Sequence, residues 1–184
     1  MKRRTYLSTV AIIGIAGCSG DSQNTSSPSN TDAGGSGGNT TSDNSDLKQQ
    51  VLDKYNQAVG TTNKGISDLN SSINNYNNRN YSTSKNQAAN AAGHFDKAES
   101  RYSNAHSLSL QIDNSSAQQI CSNAVDYAVL LEQASTQAKR AASDAMNGNM
   151  DQSNSHAQEH QSLWTEAKQE DPKDPSVLKN TLGL

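Results

Sequence analysis

Cysteine is nearly missing from this chain: two in 184 residues, Cys18 and Cys121, so no disulfide framework can organise it. Charge of one sign is also missing. Fifteen Lys and Arg stand against eighteen Asp and Glu, a net charge of -3, which supplies no basic face for nucleic acid. No run alternates apolar and polar residues with period two, and β-branched residues are sparse, which disfavours strands. The apolar run Val10 to Ala16 falls far short of the roughly 20 residues a bilayer-spanning helix needs. No glycine pattern follows a strand to cradle phosphate, and no serine stands in a nucleophile-elbow context.

What is present begins with an address. Lys2-Arg3-Arg4-Thr5-Tyr6-Leu7 is a basic segment with a twin arginine, and the apolar run leads into Ile15-Ala16-Gly17-Cys18. An aliphatic residue, two small residues and a cysteine form a lipobox pattern, in which Cys18 takes a lipid and residues 1–17 are removed as a signal peptide. Residues 18–45 then hold no apolar side chain larger than alanine or proline between Ser19 and Ser45. Such a segment cannot bury enough surface to offset its ordering entropy and reads as a tether with a mean reach on the order of 30 Å. This leader and its Ser/Thr/Asn/Gly/Asp-rich tether resemble those of haloarchaeal secreted lipoproteins. The resemblance covers about the first quarter of the chain. It implies a twin-arginine-type export signal, lipidation of Cys18 and a place on the extracellular face of the cell membrane.

From residue 46 to 170 the spacing predicts helices. Leu52, Tyr55, Val59, Thr62, Ile66, Leu69, Ile73 and Tyr76 recur at three and four residues, a seam that keeps its phase through Gly60 and Gly65. Tyr81 to Leu108 forms a second helix, alternating Tyr81, Ala88, Phe95 and Tyr102 with Ala91, Ala98 and Ala105. A third runs from Ser116 to Met146 on a seam of Ile120, Ala124, Tyr127, Leu131, Ala134, Ala138, Ala141 and Ala145. Ser115 and Gln118 serve as its capping box, and Asn147-Gly148 as its stop. Asn149 caps a fourth, polar helix whose expected buried row is Met150, Ala157 and Trp164. Pro172 and Pro175 end it, leaving 171–184 as a tail whose Val177, Leu178 and Leu182 can pack back. Long helices joined by short turns predict an all-α, up-down four-helix bundle. The alternative is a stack of helical hairpins of tetratricopeptide-like kind.

One constellation looks like chemistry. His156-Ala157-Gln158-Glu159-His160 puts two imidazoles at i and i+4 with a glutamate between, which resembles the inverted zinc-protease motif. It needs a third ligand from elsewhere, such as Glu132; otherwise His156 and His160 are two solvated side chains of a polar helix. The di-iron pattern of a glutamate three residues before a histidine is absent, since Ala91, Ser103, Ser153 and Ala157 hold those places. Asn24, Asn39, Asn70, Asn80 and Asn114 begin glycosylation sequons, and Asn80 and Asn114 fall in inter-helix turns. Cys121 reads as a small buried apolar side chain, and Tyr55, Tyr76, Tyr81, Tyr102 and Tyr127 as core residues with hydroxyls at its edge.

The sequence thus predicts a lipid-anchored, non-catalytic module that meets the membrane through Cys18 and binds a protein or envelope partner, with no cofactor and no nucleic acid. The competing reading is an envelope metal-binding protein or metallohydrolase built on His156, Glu159 and His160.

Overall fold

The computed structural model describes residues 40–170 and 172–184, with side chains from residue 44 onward. The signal segment, Cys18, most of the tether and the sequons at Asn24 and Asn39 lie outside the described residues. Five helices account for the architecture: α1 (Thr40–Asn77), α2 (Tyr81–Ser109), α3 (Ser115–Met146), α4 (Met150–Ala167) and α5 (Pro175–Leu182). The described residues contain no strand.

Helices α1 to α4 form the expected up-down bundle, each packing along its neighbour in sequence. Side-chain bonds give the antiparallel sense. Ser72 on α1 donates to the Ser84 carbonyl on α2 at 2.9 Å, and further along Arg101 on α2 donates to the Gln57 carbonyl on α1 at 3.0 Å. Helix α4 packs on α3 and reaches α1 through the Tyr76 hydroxyl, 2.6 Å from Ser153 Oγ. The core has two parts. One joins Leu69 and Ile73 to Phe95, Leu131 and Trp164, and the other joins Val51 and Tyr55 to Tyr102, Cys121, Leu178 and Leu182.

The turns follow local rules, with departures from the sequence reading, one of them that Asn149 stands at the start of α4 but makes no capping bond with its side chain. Helix α3 is capped by Asn114, one residue earlier than expected, whose Oδ1 accepts the Ala117 amide at 3.0 Å. Gln118 instead reaches back to the carbonyls of Ser109 and Ile112. Gly148, at φ 78°, takes the left-handed conformation that closes α3. Arg79 does the same after α1 at φ 62°, a geometry that costs a non-glycine residue about 1–2 kcal/mol.

Composition placed the end of the tether at Ser45, whereas α1 begins at Thr40. The segment 171–184 is also more ordered than a tail. Pro175 fits the first helical turn of α5, Asp174 Oδ1 accepts the Ser176 amide at 2.8 Å, and Gly183 closes the helix at φ 72°. Leu178 and Leu182 are buried against α1 and α3, while Val177 is exposed. The fourth column of the bundle is therefore made in two pieces. Helix α4 covers the half around Leu131, and α5 covers the half around Cys121.

Candidate functional site

The histidine motif lies on α4, and the inward face of that helix is not the one its apolar residues suggest. Met150 is 44 % exposed and leaves the expected row, while Ala157 and Trp164 keep theirs. The second inward row is Ser153, His160 and Ala167, all buried at a spacing of seven. Two of these three are polar, so a search for apolar periodicity passes over them.

His160 is 2 % exposed, and its Nδ1 lies 2.9 Å from the Ala134 carbonyl of α3. A carbonyl only accepts, so Nδ1 carries the proton and donates. The ring also sits 6.3 Å from that of Trp164. His160 is thus a core residue, which corrects the expectation that both histidines are solvated. Burial holds its pKa below the ordinary 6.5, outweighing the opposite effect of the Ala134 hydrogen bond.

Ser153 is fully buried, and its hydroxyl donates to the Ala141 carbonyl at 2.7 Å. Having one proton to give, it accepts from the Tyr76 hydroxyl. The Tyr76 phenol is pushed above its ordinary 10.0 by burial, with Tyr81 and Asp144 acting in the same direction and Ser153 against it. His156 is at the rim, its Nε2 3.5 Å from Asp144 Oδ2 and its Nδ1 3.8 Å from Glu159 Oε2. Serine, histidine and aspartate thus lie close together here. Ser153 cannot act as a nucleophile, because its hydroxyl is buried and donates to a helix carbonyl.

Nor do the two imidazoles converge. Their α3 partners, Ala134 and Asp144, are separated by about 15 Å at the 1.5 Å helical rise. Glu132, the third ligand the sequence offered, accepts from Thr136 at 3.0 Å. Among the described residues no group of three or more His, Cys, Asp or Glu side chains is placed to hold a metal ion. A shallow depression of about 410 Å³ on the outside of α4 is lined by Gln158, Gln161, Ser162, Thr165, Glu166 and Gln169. All but Gln169, which follows in the turn after it, belong to α4, so the depression has one wall and no converging groups.

The remaining sequence candidates also take structural places. Cys121 is buried and its thiol is pushed up to about 12 by burial, against the smaller effect of a hydrogen bond with Ser109, which leaves it unreactive in place. Tyr55 and Tyr102 are fully buried with rings edge-on at 5.2 Å, and the Tyr55 hydroxyl donates to the Lys173 carbonyl at 2.8 Å. Tyr127 is buried, while Tyr76 and Tyr81 are half-buried. Asn114 uses both ends of its amide: Oδ1 caps α3, and Nδ2 donates to the Thr181 carbonyl at 2.8 Å. Asn80 is exposed at the start of α2 and makes no capping bond with its side chain. Ser153 carries a signal in its seven-residue spacing with His160 and Ala167, whereas Asp144 on α3 and Tyr76 on α1 carry none within α4.

The buried histidine makes folding sensitive to acid. With the folded pKa below the unfolded 6.5, the unfolded chain takes up the proton first as pH falls. The neutral ring's contribution is complete above 6.5 and is lost between 6.5 and the lower folded value, at no more than about 1.4 kcal/mol per pH unit. The melting temperature is expected to drop from pH 7 to pH 5, and to drop less in His160→Gln, whose amide can still donate to Ala134. Equal slopes in the two proteins would contradict the buried neutral imidazole.

No protein family, curated protein or solved structure matches this chain.

Proposed function

We propose that this chain is a lipid-anchored, non-catalytic module displayed on the extracellular face of the cell membrane, where it binds a protein or another envelope component. The observation that carries the non-catalytic half is the use of the reactive-looking side chains in packing. His160 and Ser153 are spent on α3 carbonyls, and Cys121 lies in the core. The anchored half rests on the lipobox around Cys18 and the apolar-poor segment that follows it. Geometry adds a direction. Helix α1 has 38 residues, about 57 Å at the helical rise, and begins within the last residues of the segment read as the tether. On the anchored reading, the α1–α2 and α3–α4 turns, with Arg79, Met146 and Met150 exposed on them, are the end that would face away from the membrane.

Cys18→Ser is expected to move the protein from the membrane fraction to the soluble fraction, because each buried methylene of the lipid contributes about 0.8 kcal/mol to anchoring. Full membrane retention of the variant would defeat the anchored reading. Stoichiometric zinc in the purified native protein, lost in His156→Ala, would defeat the non-catalytic one.

A further inference from the structure

We propose that Asn80 is the residue of the folded domain that carries an N-linked oligosaccharide, placed at the end of the bundle away from the membrane. The inference rests on the export proposed above, since the sugar donor and its transferase act at the outer face. A twin-arginine route would deliver the domain already folded, so accessibility in the fold, and not the sequon triplet alone, selects the acceptor.

Three sequons fall on described residues, and the fold treats them differently. Asn70 is half-buried within α1, and Ser72, the hydroxyl residue of its triplet, is buried and donates to the Ser84 carbonyl at 2.9 Å. That triplet cannot leave its helix without breaking the α1–α2 contact. In Asn114 the nitrogen that would be glycosylated already donates to Thr181, and its oxygen caps α3. A sugar there would have to fit beside the Thr181 carbonyl on a half-buried nitrogen, crowding the contact between the α3 start and α5. Asn80 is committed less. It is exposed in the α1–α2 turn with φ -83° and ψ 58°, outside the helical region. Its side chain makes no cap bond, and its nitrogen has only a long 3.4 Å bond to Asn75 Oδ1. Ser82, the hydroxyl residue of the triplet, is exposed in the first turn of α2.

The chemistry needs one co-reactant, an oligosaccharide activated on a lipid-linked phosphate. A bond forms between Asn80 Nδ2 and the anomeric carbon, the amide loses one proton, and the sugar–phosphate bond breaks with its electron pair leaving on the phosphate oxygen.

The test is mass spectrometry of trypsin-digested protein purified from its own cells, where residues 80–85 form one peptide, separate from those holding Asn70 and Asn114. A glycan mass is expected on the Asn80 peptide, absent in Asn80→Gln and in Ser82→Ala, with the Asn70 and Asn114 peptides unmodified. Both variants are expected to melt like the unglycosylated wild type, which separates loss of the sugar from loss of the fold. An unmodified Asn80 peptide beside a lipidated Cys18 peptide would overturn the inference and leave the export reading standing. An unmodified Asn80 with an unlipidated Cys18 would overturn both, and a glycan on Asn70 or Asn114 would overturn the selection argued here.

Discussion

Leu131→Asp is expected to abolish the cooperative melting of this domain. Leu131 is fully buried beside Leu69, Phe95, Tyr127 and Trp164, on the helix that α2 and α4 both pack against. Removing the leucine forfeits about 1.5–3 kcal/mol of burial. The carboxyl group then lies among apolar side chains with no partner, and staying there costs several kcal/mol more whether it ionises or takes up a proton. Domains of this kind keep only about 5–15 kcal/mol in total. Far-ultraviolet circular dichroism should show a chain largely unfolded at room temperature, whereas Leu131→Met should cost less than about 1.5 kcal/mol. A sharp wild-type-like melt of Leu131→Asp would remove Leu131 from the core.

The two glycines of α1 should respond to the same substitution in opposite directions. A Cβ on Gly65 would lie 2.7 Å from Cε1 of the Phe95 ring, which is itself fully buried and has nowhere to retreat. Gly65→Ala is therefore expected to destabilise by about 1–3 kcal/mol from overpacking, partly offset by alanine's better helix propensity. At Gly60 nothing lies within 4 Å of the added carbon. Gly60→Ala should gain about 0.5–1 kcal/mol, because alanine loses less backbone freedom on folding. Denaturant titrations of the two variants give the comparison, and equal shifts would mean that Phe95 does not pack against Gly65. Gly65 makes room for an aromatic ring.

These two residues show where sequence reading succeeds. Apolar seams made of Leu, Phe, Tyr and runs of alanine located α1 to α3, because long helices repeat the signal many times. Their partners are neighbours in sequence, so short turns were enough to set the order of packing. The reading went astray on α4, where Ser153 and His160 occupy core positions. A polar side chain becomes a core residue only when another helix offers it a carbonyl, here Ala141 and Ala134, and that offer is not written in the segment itself. The same reason hid the site. Spacing from Ala157 lets His160 reach the buried seam and turns His156 about 100° away from it, but only the position of α3 shows that His160 lies inside, bonded to Ala134, and that His156 meets Asp144 at the rim. Helix α5 was half legible: Pro172 and Pro175 were expected to end α4, which stops earlier, at Ala167, and Pro175 starts a helix that Leu178 and Leu182 hold in place.

The two-piece fourth column has a consequence for local opening. An eight-residue helix is too short to persist alone in water, so α5 is helical only while docked, and undocking and melting are one event. Two leucines hold it, together with the bonds from Tyr55 to Lys173 and from Asn114 to Thr181, which is far less than holds α3. It belongs to the low-stability end of the molecule, and its amides should exchange with deuterium before those of α3. Leu178 and Leu182 share a cluster with Cys121. The rate at which a thiol reagent labels Cys121 under native conditions therefore reports the population in which α5 has let go, and that rate should rise sharply in Leu178→Ala while the melting of the rest of the bundle changes little.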